Sequence, residues 1–520
     1  MSFWHRFINR KTLKPYDHNA NDDRHIVANI KENIKNINEA FKNCSDLNIR
    51  EIKIGNDNSV NAAVINISGM TDTPLLYDGI LKSIMLESRP DDNSGKKLFD
   101  SLKNKILPNS EIYELTYFKE ALSSILAGDT VIFIDGIDKA LSCGTKGWSA
   151  RAVTEPDSEG TVRGPREGFT ETLRVNTSLL RRKIRTSDLK IESIFLGKYT
   201  HTEINIAYID GIVDTNILNE VKSRLSRIDT GSILESGYIE EFIEDAPNSP
   251  FPTVYHSEKP DKIAANILEG CVAIITDGTP FVLTVPATFW NFMTASDDYY
   301  ERYFITGLIR FLRITGFLIS ILLPGLYIAV TTYHQDFLPT ALLISIAGSR
   351  TNVPFPALVE ALLMEFTFEA LREAGIRLPK QIGQAISIVG ALVLGQAAVS
   401  ASLVSPAMVI VVAITGISSF VTPSYDLAIT GRMLRFFIMI LGSMLGLFGV
   451  IIGFLCMLVH MESIRSFGIP YLYPVTPLVI SDLKDTFLRM PWWYMHTRPS
   501  FPAVNIKRMS DDLKPHTPEG

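Results

Sequence analysis

The sequence predicts an α/β cytoplasmic domain with two small subdomains, followed by a polytopic α-helical transmembrane domain. Three uncharged apolar stretches, Ile314 to Gln335, Gln381 to Tyr425 and Phe436 to Met461, predict the membrane part. Each is long enough to cross a bilayer, since a helix needs about 20 mainly apolar residues to do so. Before about Tyr303 the sequence instead alternates short β-rich runs with helical patterns, which favours α/β layers.

The overall composition averages over these two unlike parts. The 520 residues are 46% hydrophobic and 20% charged, with a formal net charge of -6. Because no basic tract is present, the sequence lacks the electrostatic footprint of a nucleic-acid-binding protein. No nucleic-acid partner is expected.

The beginning of the chain and its cysteines both favour a cytoplasmic setting for the α/β part. The first 23 residues lack the apolar core of a secretory signal. The four cysteines are scattered and form no CxxC pair, so neither a disulfide framework nor a zinc site is indicated. No metal and no cofactor are expected.

The α/β part divides into three predicted segments. Residues 1–55 are expected to form a variable amino-terminal arm around one amphipathic helix, Ile26 to Cys44. Residues 56–190 are predicted to form the first subdomain, ending in a basic connecting helix from Glu171 to Arg185, and residues 191–300 the second. The predicted strands are 62–67, 130–135, 191–196, 204–210, 272–277 and 281–285; the predicted helices are 74–87, 117–127, 215–228 and 261–268, with a proline-bearing loop over 245–260.

Residues 301–461 are predicted to form the transmembrane helical domain, with a carboxyl-terminal tail over 462–520. Arg302, Arg310 and Arg313 precede the first span and, by the positive-inside rule, place that end in the cytoplasm. Further basic clusters, Arg372 to Lys380, Arg432 with Arg435, and those of the tail, indicate inside loops and an inside tail. The predicted spans are 314–333, 353–371, 383–403, 405–422 and 434–460.

Five crossings would place the basic tail outside, so the span count and the charges disagree. Two internal termini require an even number of crossings. Either the segment 337–349 enters the bilayer, or one of the five spans crosses only partly, which is permitted where protein or water covers its backbone. Both alternatives remain open at this point.

The least ordinary membrane segment is Val353 to Arg377, because it carries Glu360, Glu365 and Glu369 among apolar residues. A charge at the bilayer centre costs about 2.5 to 3.5 kcal/mol, so these carboxylates need water, a partner or the bundle interior. At helical spacing Glu365, Glu369 and Arg372 share one polar stripe, and Glu360 lies off it.

Two interpretations of this acidic helix are open. If several copies turned the stripe towards a common axis, rings of carboxylates would line a water-filled path that favours cations. Alternatively, the helix lies at the membrane surface with solvated glutamates, or Glu369 and Arg372 simply pair within one turn.

The small residues of the segment 381–425 are expected to let helices pack closely in lipid. Gln384 and Gln396 are its polar groups best suited to bond between helices or to touch permeating water. Catalytic signatures are missing from the sequence: it has no Walker loop, no HExxH and no GxSxG elbow, so an enzyme is not expected.

One motif carries a family resemblance. The run Arg163-Gly164-Pro165-Arg166-Glu167-Gly168-Phe169, followed by Asn176 and Leu179-Leu180-Arg181-Arg182, resembles the A subunits of spore germinant receptors, the GerA family. The resemblance continues through Val353-Pro354-Phe355-Pro356, Arg372 to Pro379 and Ser466 to Tyr471. It covers about residues 55 to 510.

The resemblance implies a nutrient-sensing subunit in the inner membrane of a bacterial spore. The implied partners are a transporter-like B subunit, a lipidated C subunit and further copies of the chain, expected as a pentamer that forms a germinant-gated cation channel. Amino acids or similar small nutrients are the implied germinants, with the B subunit as the favoured germinant site. Two α/β subdomains before the membrane domain are also implied.

The candidate site residues follow from these arguments. Candidates for the ion path are Glu360, Glu365, Glu369, Gln384 and Gln396. Candidates for coupling or subunit contact are Pro165, Arg166, Glu167, Gly168, Phe169, Asn176, Arg181, Arg182, Pro354, Pro356 and Arg372. Arg166 and Glu167 are equally compatible with a local ion pair, and the loop with an ordinary helix start capped by Thr170. A secondary transporter of a small nutrient, with breaks at Pro324-Gly325 and Pro406, is the alternative function.

Overall fold

A computed structural model describes residues 24–54, 60–86, 99–103, 111–147, 159–377, 395–505, 507–509 and 513–514. These residues form two five-stranded sheets with packed helices, followed by a bundle of longer apolar helices. The predicted fold class, two α/β subdomains and a helical domain, is confirmed.

The first subdomain is an antiparallel sheet with the strand order β1-β2-β4-β5-β3. Its core forms on both faces, where alternate strand residues meet different helices. Its elements are α1 (Ile30–Ala40), β1 (Leu47–Ile54), β2 (Val60–Ile67), a π-helical turn (Leu75–Leu81) that continues as α2 (Lys82–Leu86), β3 (Ile112–Leu115), α3 (Phe118–Leu126), β4 (Thr130–Ile134) and β5 (Ala140–Cys143).

The second subdomain repeats this strand order as β6-β7-β9-β10-β8, again antiparallel throughout. This structural repeat was not predicted from the sequence. Its elements are α4 (Leu173–Lys183), β6 (Leu189–Leu196), β7 (Thr202–Ile209), α5 (Thr215–Ser226), α6 (Ser236–Ile243), β8 (Tyr255–Ser257), α7 (Pro260–Leu268), β9 (Val272–Thr276), β10 (Val282–Val285) and α8 (Phe289–Met293).

The described part of the predicted arm, from residue 24, belongs to the first subdomain. β1 is an edge strand of the sheet, and the α1 residues Ile30 and Ile37 are buried in the subdomain core. The helix is also shorter than predicted, since Asn29 caps it by accepting a hydrogen bond from the Lys31 amide. This segment is therefore not peripheral.

The basic helix α4 packs on the second subdomain and ties the first subdomain to it. Leu179 and Leu180 are buried in a core that includes β6, β7 and β9. On the opposite side, Arg181 donates Nε to Asp46 Oδ2 at 2.8 Å and Nη2 to Oδ1 at 2.9 Å, with both side chains buried. The backbone amide of Ser45 also bonds the carbonyl of Ile191 at 2.8 Å. The two subdomains are thus joined by a buried bidentate pair and by β-like pairing.

The helical domain differs from the predicted spans at two places. Its first helix begins at Tyr303, so Arg310 and Arg313 lie inside the helix, where they bind Asp298 at 3.2 Å and 2.7 Å. Arg432 and Arg435 likewise lie in a helix and not in an inside loop. These arginines therefore lie within two helices and not in loops, while the sidedness predicted from them stays a prediction.

The predicted single span 434–460 is also wrong, because the chain turns at Gly446. This residue has φ +64, which glycine adopts without the cost that a side chain would add. The two helices on either side pack as an antiparallel hairpin, with Gly449 against Leu441 and Gly453 against Ile438. A Cβ at position 449 would lie 2.1 Å from the Leu441 carbonyl oxygen, so the close approach requires glycine there.

The helices of this domain are α9 (Tyr303–Thr332), α10 (Thr340–Arg350), α11 (Ala357–Arg377), α12 (Gly395–Ser400), α13 (Pro406–Phe420), α14 (Tyr425–Leu445) and α15 (Leu447–Ser463). Among the described residues, α9 and α14 are long and apolar enough to cross a membrane, and α13 and α15 are shorter apolar helices. Many large apolar side chains on them are exposed, as in helices that face lipid or a neighbouring subunit: Phe304, Leu308, Phe311, Phe366, Ile417, Phe420, Phe437, Met444, Phe448, Ile451 and Val459.

The tail returns to the second subdomain immediately after α15. Two short strands, β11 (Arg465–Ser466) and β12 (Ile469–Pro470), form a hairpin. Ser466 donates its hydroxyl to the Thr253 carbonyl at 2.7 Å, and Val504 donates its amide to the Ile212 carbonyl at 2.8 Å. The tail and the α/β part therefore lie at the same end of the helical bundle.

Candidate functional site

The acidic helix α11 turns its charged residues towards the interior of its own bundle. Glu360 and Glu365 are fully buried, while Val359, Leu363 and Phe366 on the opposite side of the helix are exposed. The helix packs against α9, α13 and α14. It does not lie with solvated glutamates at a surface, which was one of the alternatives that the sequence left open.

Glu365 pairs with an arginine of another membrane helix. Arg435 of α14 donates Nη1 to Glu365 Oε2, and both side chains are fully buried. The same arginine donates Nε to the carbonyl of Ser320 in α9 at 2.7 Å. One guanidinium thus connects three helices, a use that suits its fixed fork of donors.

Glu369 pairs with two arginines. Arg432 of α14 lies 3.1 Å from Glu369 Oε2, and Arg372 on the same helix lies 3.8 Å from Oε1. Arg372 also donates to the Ser419 hydroxyl at 2.8 Å and stacks on the Phe420 ring, 4.5 Å from its centroid. The pair within one turn that the sequence left open is therefore present, beside a shorter contact between helices.

Glu360 lies in the first turn of α11 and caps the neighbouring helix α13. Its Oε1 accepts hydrogen bonds from the amide and the hydroxyl of Ser405, which is the N-cap of α13. Arg350 at the end of α10 lies 3.7 Å from Oε2. A carboxylate near a helix N-terminus is favoured by the helix dipole.

Each of the three glutamates keeps one buried oxygen for which the described residues supply no hydrogen-bond donor. These atoms are Glu360 Oε2, Glu365 Oε1 and Glu369 Oε1. A buried carboxylate oxygen without a donor is costly, by about 1 to 3 kcal/mol or more. Arg350 Nε, Arg372 Nε and Arg435 Nη2 likewise have no acceptor among the described residues, so the ion pairs leave hydrogen-bonding capacity unused on both sides.

The arginine partners of this stripe were not predicted from the sequence. Arg432 and Arg435 were assigned to a loop, although they stand three residues apart within an apolar helical pattern. Acidic residues at helical spacing in one apolar helix and basic residues at helical spacing in another were the signal that could have predicted this pairing.

Two glutamines were also predicted as candidates for the ion path. Gln384 lies outside the described residues, and Gln396 is exposed in α12. Pro354 and Pro356 are exposed and directly precede α11, whose rigid start they define.

The family-like loop packs against the second subdomain. Glu167 binds Arg182 at 3.1 Å and Lys183 at 3.5 Å, so its pairing is with α4. Gly168 and Phe169 are buried, and the Phe169 amide donates to the Glu258 carbonyl at 2.7 Å. Pro165 is partly buried and Arg166 is exposed.

Two further motif residues are structural within this chain. Asn176 is buried and holds Thr170 by two hydrogen bonds, from the Thr170 amide at 2.7 Å and to its carbonyl at 2.6 Å. The helix begins later than predicted, with Thr172 as N-cap, because the Leu173 amide bonds Asp277. Arg181 is buried against Asp46, so in this structure its side chain is not available to a neighbouring subunit.

A second cluster links the α/β part to the bundle. His256 of β8 lies 3.7 Å from Glu240 of α6 and 3.3 Å from Asp426 in the first turn of α14. Burial favours neutral His256, but the neighbouring carboxyl groups of Glu240 and Asp426 outweigh it and raise the pKa of His256 to about 9. At neutral pH the cluster is therefore a protonated histidine between two carboxylates.

These three residues also form the group, among those described, whose ligand atoms lie within 4.8 Å of one another, close enough to hold a metal ion. No pattern in the sequence predicted this group, since Asp426 is far from the other two residues in the chain. The ion-pair arrangement accounts for their positions without a metal, because the carboxylates balance the imidazolium.

Comparison with known proteins gives a consistent picture. Residues 35–501 match the family model described as Bacillus/Clostridium GerA spore germination protein. The chain is 46% identical to the uncharacterized membrane protein YfkQ of Bacillus subtilis, over 92% of each chain. It is 45% identical to spore germination protein KA of Bacillus subtilis, over 94% of this chain and 90% of that protein.

A solved structure is also similar. It is the N-terminal domain of the A subunit of the Bacillus megaterium spore germinant receptor GerK3, 34% identical. The match covers 51% of this chain and 98% of that chain, with a TM-score of 0.38.

The raised pKa of His256 predicts a pH-dependent stability. A group whose pKa is higher in the folded state stabilises fully below its unfolded value, near 6.5, and loses this contribution as the pH rises through about 9. The free energy of unfolding of the full chain in detergent, measured by thermal unfolding, should therefore fall over this pH window by at most about 3 kcal/mol.

His256→Gln should remove most of that dependence. The control is His201→Asn at an exposed residue with φ 44, a conformation that asparagine tolerates. An unchanged pH profile in His256→Gln would show that this cluster does not stabilise the junction.

Proposed function

The chain belongs to the GerA family of spore germination proteins, and we propose that it is the A subunit of a nutrient germinant receptor in the inner membrane of the spore. The match over most of the chain and the two membrane-length helices support a membrane location. The proposed partners are a transporter-like B subunit, a lipidated C subunit and further copies of this chain in a pentamer. Small nutrients are the proposed triggers through this complex, which is not catalytic.

The proposed mechanism is a cation channel gated by the germinant signal. The observation that carries it is the set of three carboxylates that α11 turns into the bundle, two of them fully buried and Glu369 28% exposed, each with one buried oxygen that lacks a donor among the described residues. Carboxylates lining a wet passage favour cations over anions. Glu360, Glu365 and Glu369 are the proposed ion-path residues, and the many exposed apolar side chains of the bundle leave surface for neighbouring copies.

The ion pairs of Glu365 and Glu369 with α14 correspond to a closed state of the proposed channel. Arg435 and Arg432 bind Glu365 and Glu369 and hold α11 against α14. An inward-facing carboxylate that is bound to an arginine cannot serve a passing cation. Opening therefore requires that α11 and α14 separate or rotate, and the germinant signal must favour that state by differential binding.

The positions of the helix ends support six crossings. The Tyr333 hydroxyl after α9 donates to the Ser443 carbonyl near the end of α14 at 2.8 Å, so these two helices run in the same direction. The hairpin at Gly446 then brings α15 back towards the α/β part. These helices supply three crossings.

The helices α11 and α13 form the other half of the bundle. Glu360 contacts Ser405 where α11 and α13 begin, and Arg372 contacts Ser419 where they approach their ends, so the two helices are parallel. Met408 of α13 packs with Ile328 at the far end of α9. Both helices therefore run back towards the α/β part, so that α11 ends near it and α13 begins at the far end of the bundle, which requires one further crossing between them. Six crossings place the tail inside without either of the adjustments considered from the sequence.

Transport of the nutrient itself remains the alternative function. It calls for helices broken near the membrane centre. Pro324 does not interrupt α9, which is continuous from Tyr303 to Thr332. Reconstituted vesicles distinguish the two functions, since a channel subunit passes ions without accumulating the nutrient.

Glu365→Gln tests the proposed ion path. It removes the charge, leaves Arg435 without its carboxylate and should change the rate of cation release on nutrient exposure by about tenfold or more. The measurement is the time course of ion release from spores that contain normal amounts of the assembled complex.

The matched control is Glu373→Gln on the same helix. Glu373 is exposed and pairs with Arg377, so its loss should leave release unchanged. Equal release kinetics in Glu365→Gln, Glu369→Gln and the control would remove these carboxylates from the path.

The six crossings predict which residues share a side of the membrane. In a chain freed of its four cysteines, single cysteines at the exposed positions Asp229 and Ile480 should react with an impermeant maleimide from the cytoplasmic side. A cysteine at exposed Phe337 should react from the opposite side, because it follows the far end of α9. Labelling of positions 480 and 337 from the same side would refute this topology.

A further inference from the structure

A pocket of about 300 Å³ lies between the helices α14 and α15, where the loop before β8 meets them. Three stretches contribute its wall: 250–251 of that loop, 434–438 of α14 and 453–460 of α15. The volume is at the lower end of the range for pockets that hold small molecules. None of the ion-path or motif candidates lines it.

The inner wall of the pocket is apolar. Phe251, Ile438 and Met457 are buried and belong to one core cluster of the bundle. Gly453 adds no side chain to this wall, and a Cβ there would lie 2.5 Å from Ile438 Cδ1. Of the described residues that line the pocket, His460 alone carries nitrogen or oxygen in its side chain. Because such a wall offers water almost no hydrogen bonds, hydrocarbon is the class of ligand that it suits.

The mouth of the pocket opens on the outer surface of α14 and α15. Phe437, Cys456 and His460 are the wall residues that are exposed there. Leu455 and Val459, their neighbours on the same surface, are exposed and apolar as well. Since both helices are proposed to cross the membrane, this surface and the mouth within it face the hydrocarbon of the bilayer.

Polar contacts close the end of the pocket that lies nearer the α/β part. The Ser249 hydroxyl and His460 Nε2 are hydrogen-bonded at 2.8 Å, and the Pro250 carbonyl accepts the Thr430 hydroxyl. His460 lies in the last turn of α15, so this end is at the level proposed for the cytoplasmic boundary of the membrane. Lipid head groups lie at this level, and the rest of the pocket lies at the depth of their chains.

We propose that this pocket holds one hydrocarbon chain of a membrane phospholipid. The chain packs on Leu434, Phe437 and Met457, and the head group stays at the cytoplasmic boundary beside His460 and Ser249. The inference goes beyond the proposed function, which assigns no lipid to this chain. It rests on the crossings proposed for α14 and α15, and not on ion conduction.

The position of the pocket connects an occupant to the acidic stripe. Leu434 lines the pocket and directly precedes Arg435, which binds Glu365. Phe251 brings the loop before β8 to the same wall. A bound chain therefore contacts both the helix that carries the arginines and the loop that joins it to the α/β part.

The test is photochemical labelling of the full chain in vesicles of phosphatidylglycerol and phosphatidylethanolamine. A phospholipid with a diazirine in one acyl chain is the probe, and mass spectrometry identifies the labelled residues. Leu434 and Met457 should be labelled at least as strongly as Phe448 and Ile451, which are far more exposed on the surface of α15. Without a held chain, exposure alone would decide, and the two pocket residues would be labelled least.

Two matched variants assign the labelling to the pocket. Cys456→Trp places a large side chain at the mouth and should lower labelling of Met457 by about tenfold. Leu455→Trp adds the same side chain at an exposed neighbour that does not line the pocket, so it should leave that labelling unchanged.

Three outcomes would overturn the proposal. The first is labelling of Phe448 and Ile451 without Leu434 and Met457, as expected if a neighbouring copy covered the pocket. The second is equal labelling of Met457 in the two tryptophan variants. The third is labelling of Met457 by a diazirine fatty acid and not by the phospholipid, which would assign the pocket to a free amphiphile. The first and third use the unaltered chain, so a variant that fails to fold does not hide the answer. Absence of label from Phe448 and Ile451 as well would contradict the proposed crossings themselves, which is a distinguishable result.

Discussion

The structure of the helical domain depends on the requirement that charges in an apolar bundle be paired. An unpaired charge at the bilayer centre costs about 2.5 to 3.5 kcal/mol, and removing one partner of a buried pair costs about 3 to 5 kcal/mol. Glu365 and Arg435 satisfy each other, and Arg435 reaches α9 through the Ser320 carbonyl. This requirement fixes the rotation of α11 about its axis and its contact with α14.

The helix α14 is the element that connects the α/β part to the acidic stripe. Its first turn carries Asp426, which faces His256, and Thr430 donates to the Pro250 carbonyl. Its middle carries Arg432 and Arg435, and its end turns at Gly446 into α15. A displacement of the α/β part at β8 would therefore reach Glu365 through one rigid helix. This continuity is a physical basis for coupling between the two parts, and it requires no further chain.

Sequence patterns recovered the elements whose burial is regular. The strands β2, β4, β7 and β9 lie within two residues of their predicted ends, because apolar β-branched runs at the centre of a sheet leave little ambiguity. The patterns failed at short edge strands such as β3, and at β8 within a predicted loop, since three or four residues carry too little periodicity. They also failed at Gly446, where one apolar run hides two helices.

Only the acidic half of the candidate site could be predicted from the sequence. The carboxylates on α11 stood out because a charge among apolar residues costs free energy in a membrane. Their arginine partners could not be predicted, because Arg432 and Arg435 also fit the positive-inside rule as residues of a cytoplasmic loop. Only the fold shows that Arg435 is buried. The pocket between α14 and α15 and the cluster at His256 combine residues more than a hundred positions apart, which one sequence cannot bring together.

The most direct test of the account is a double-mutant cycle on Glu365→Gln and Arg435→Met, read as the free energy of unfolding of the chain in detergent. If the two side chains form the pair that positions α11, each single variant should be destabilised. The double variant should then recover at least about 1 kcal/mol relative to the sum of the two losses. Losses that add to within about 0.5 kcal/mol would show that the pair does not hold the bundle together.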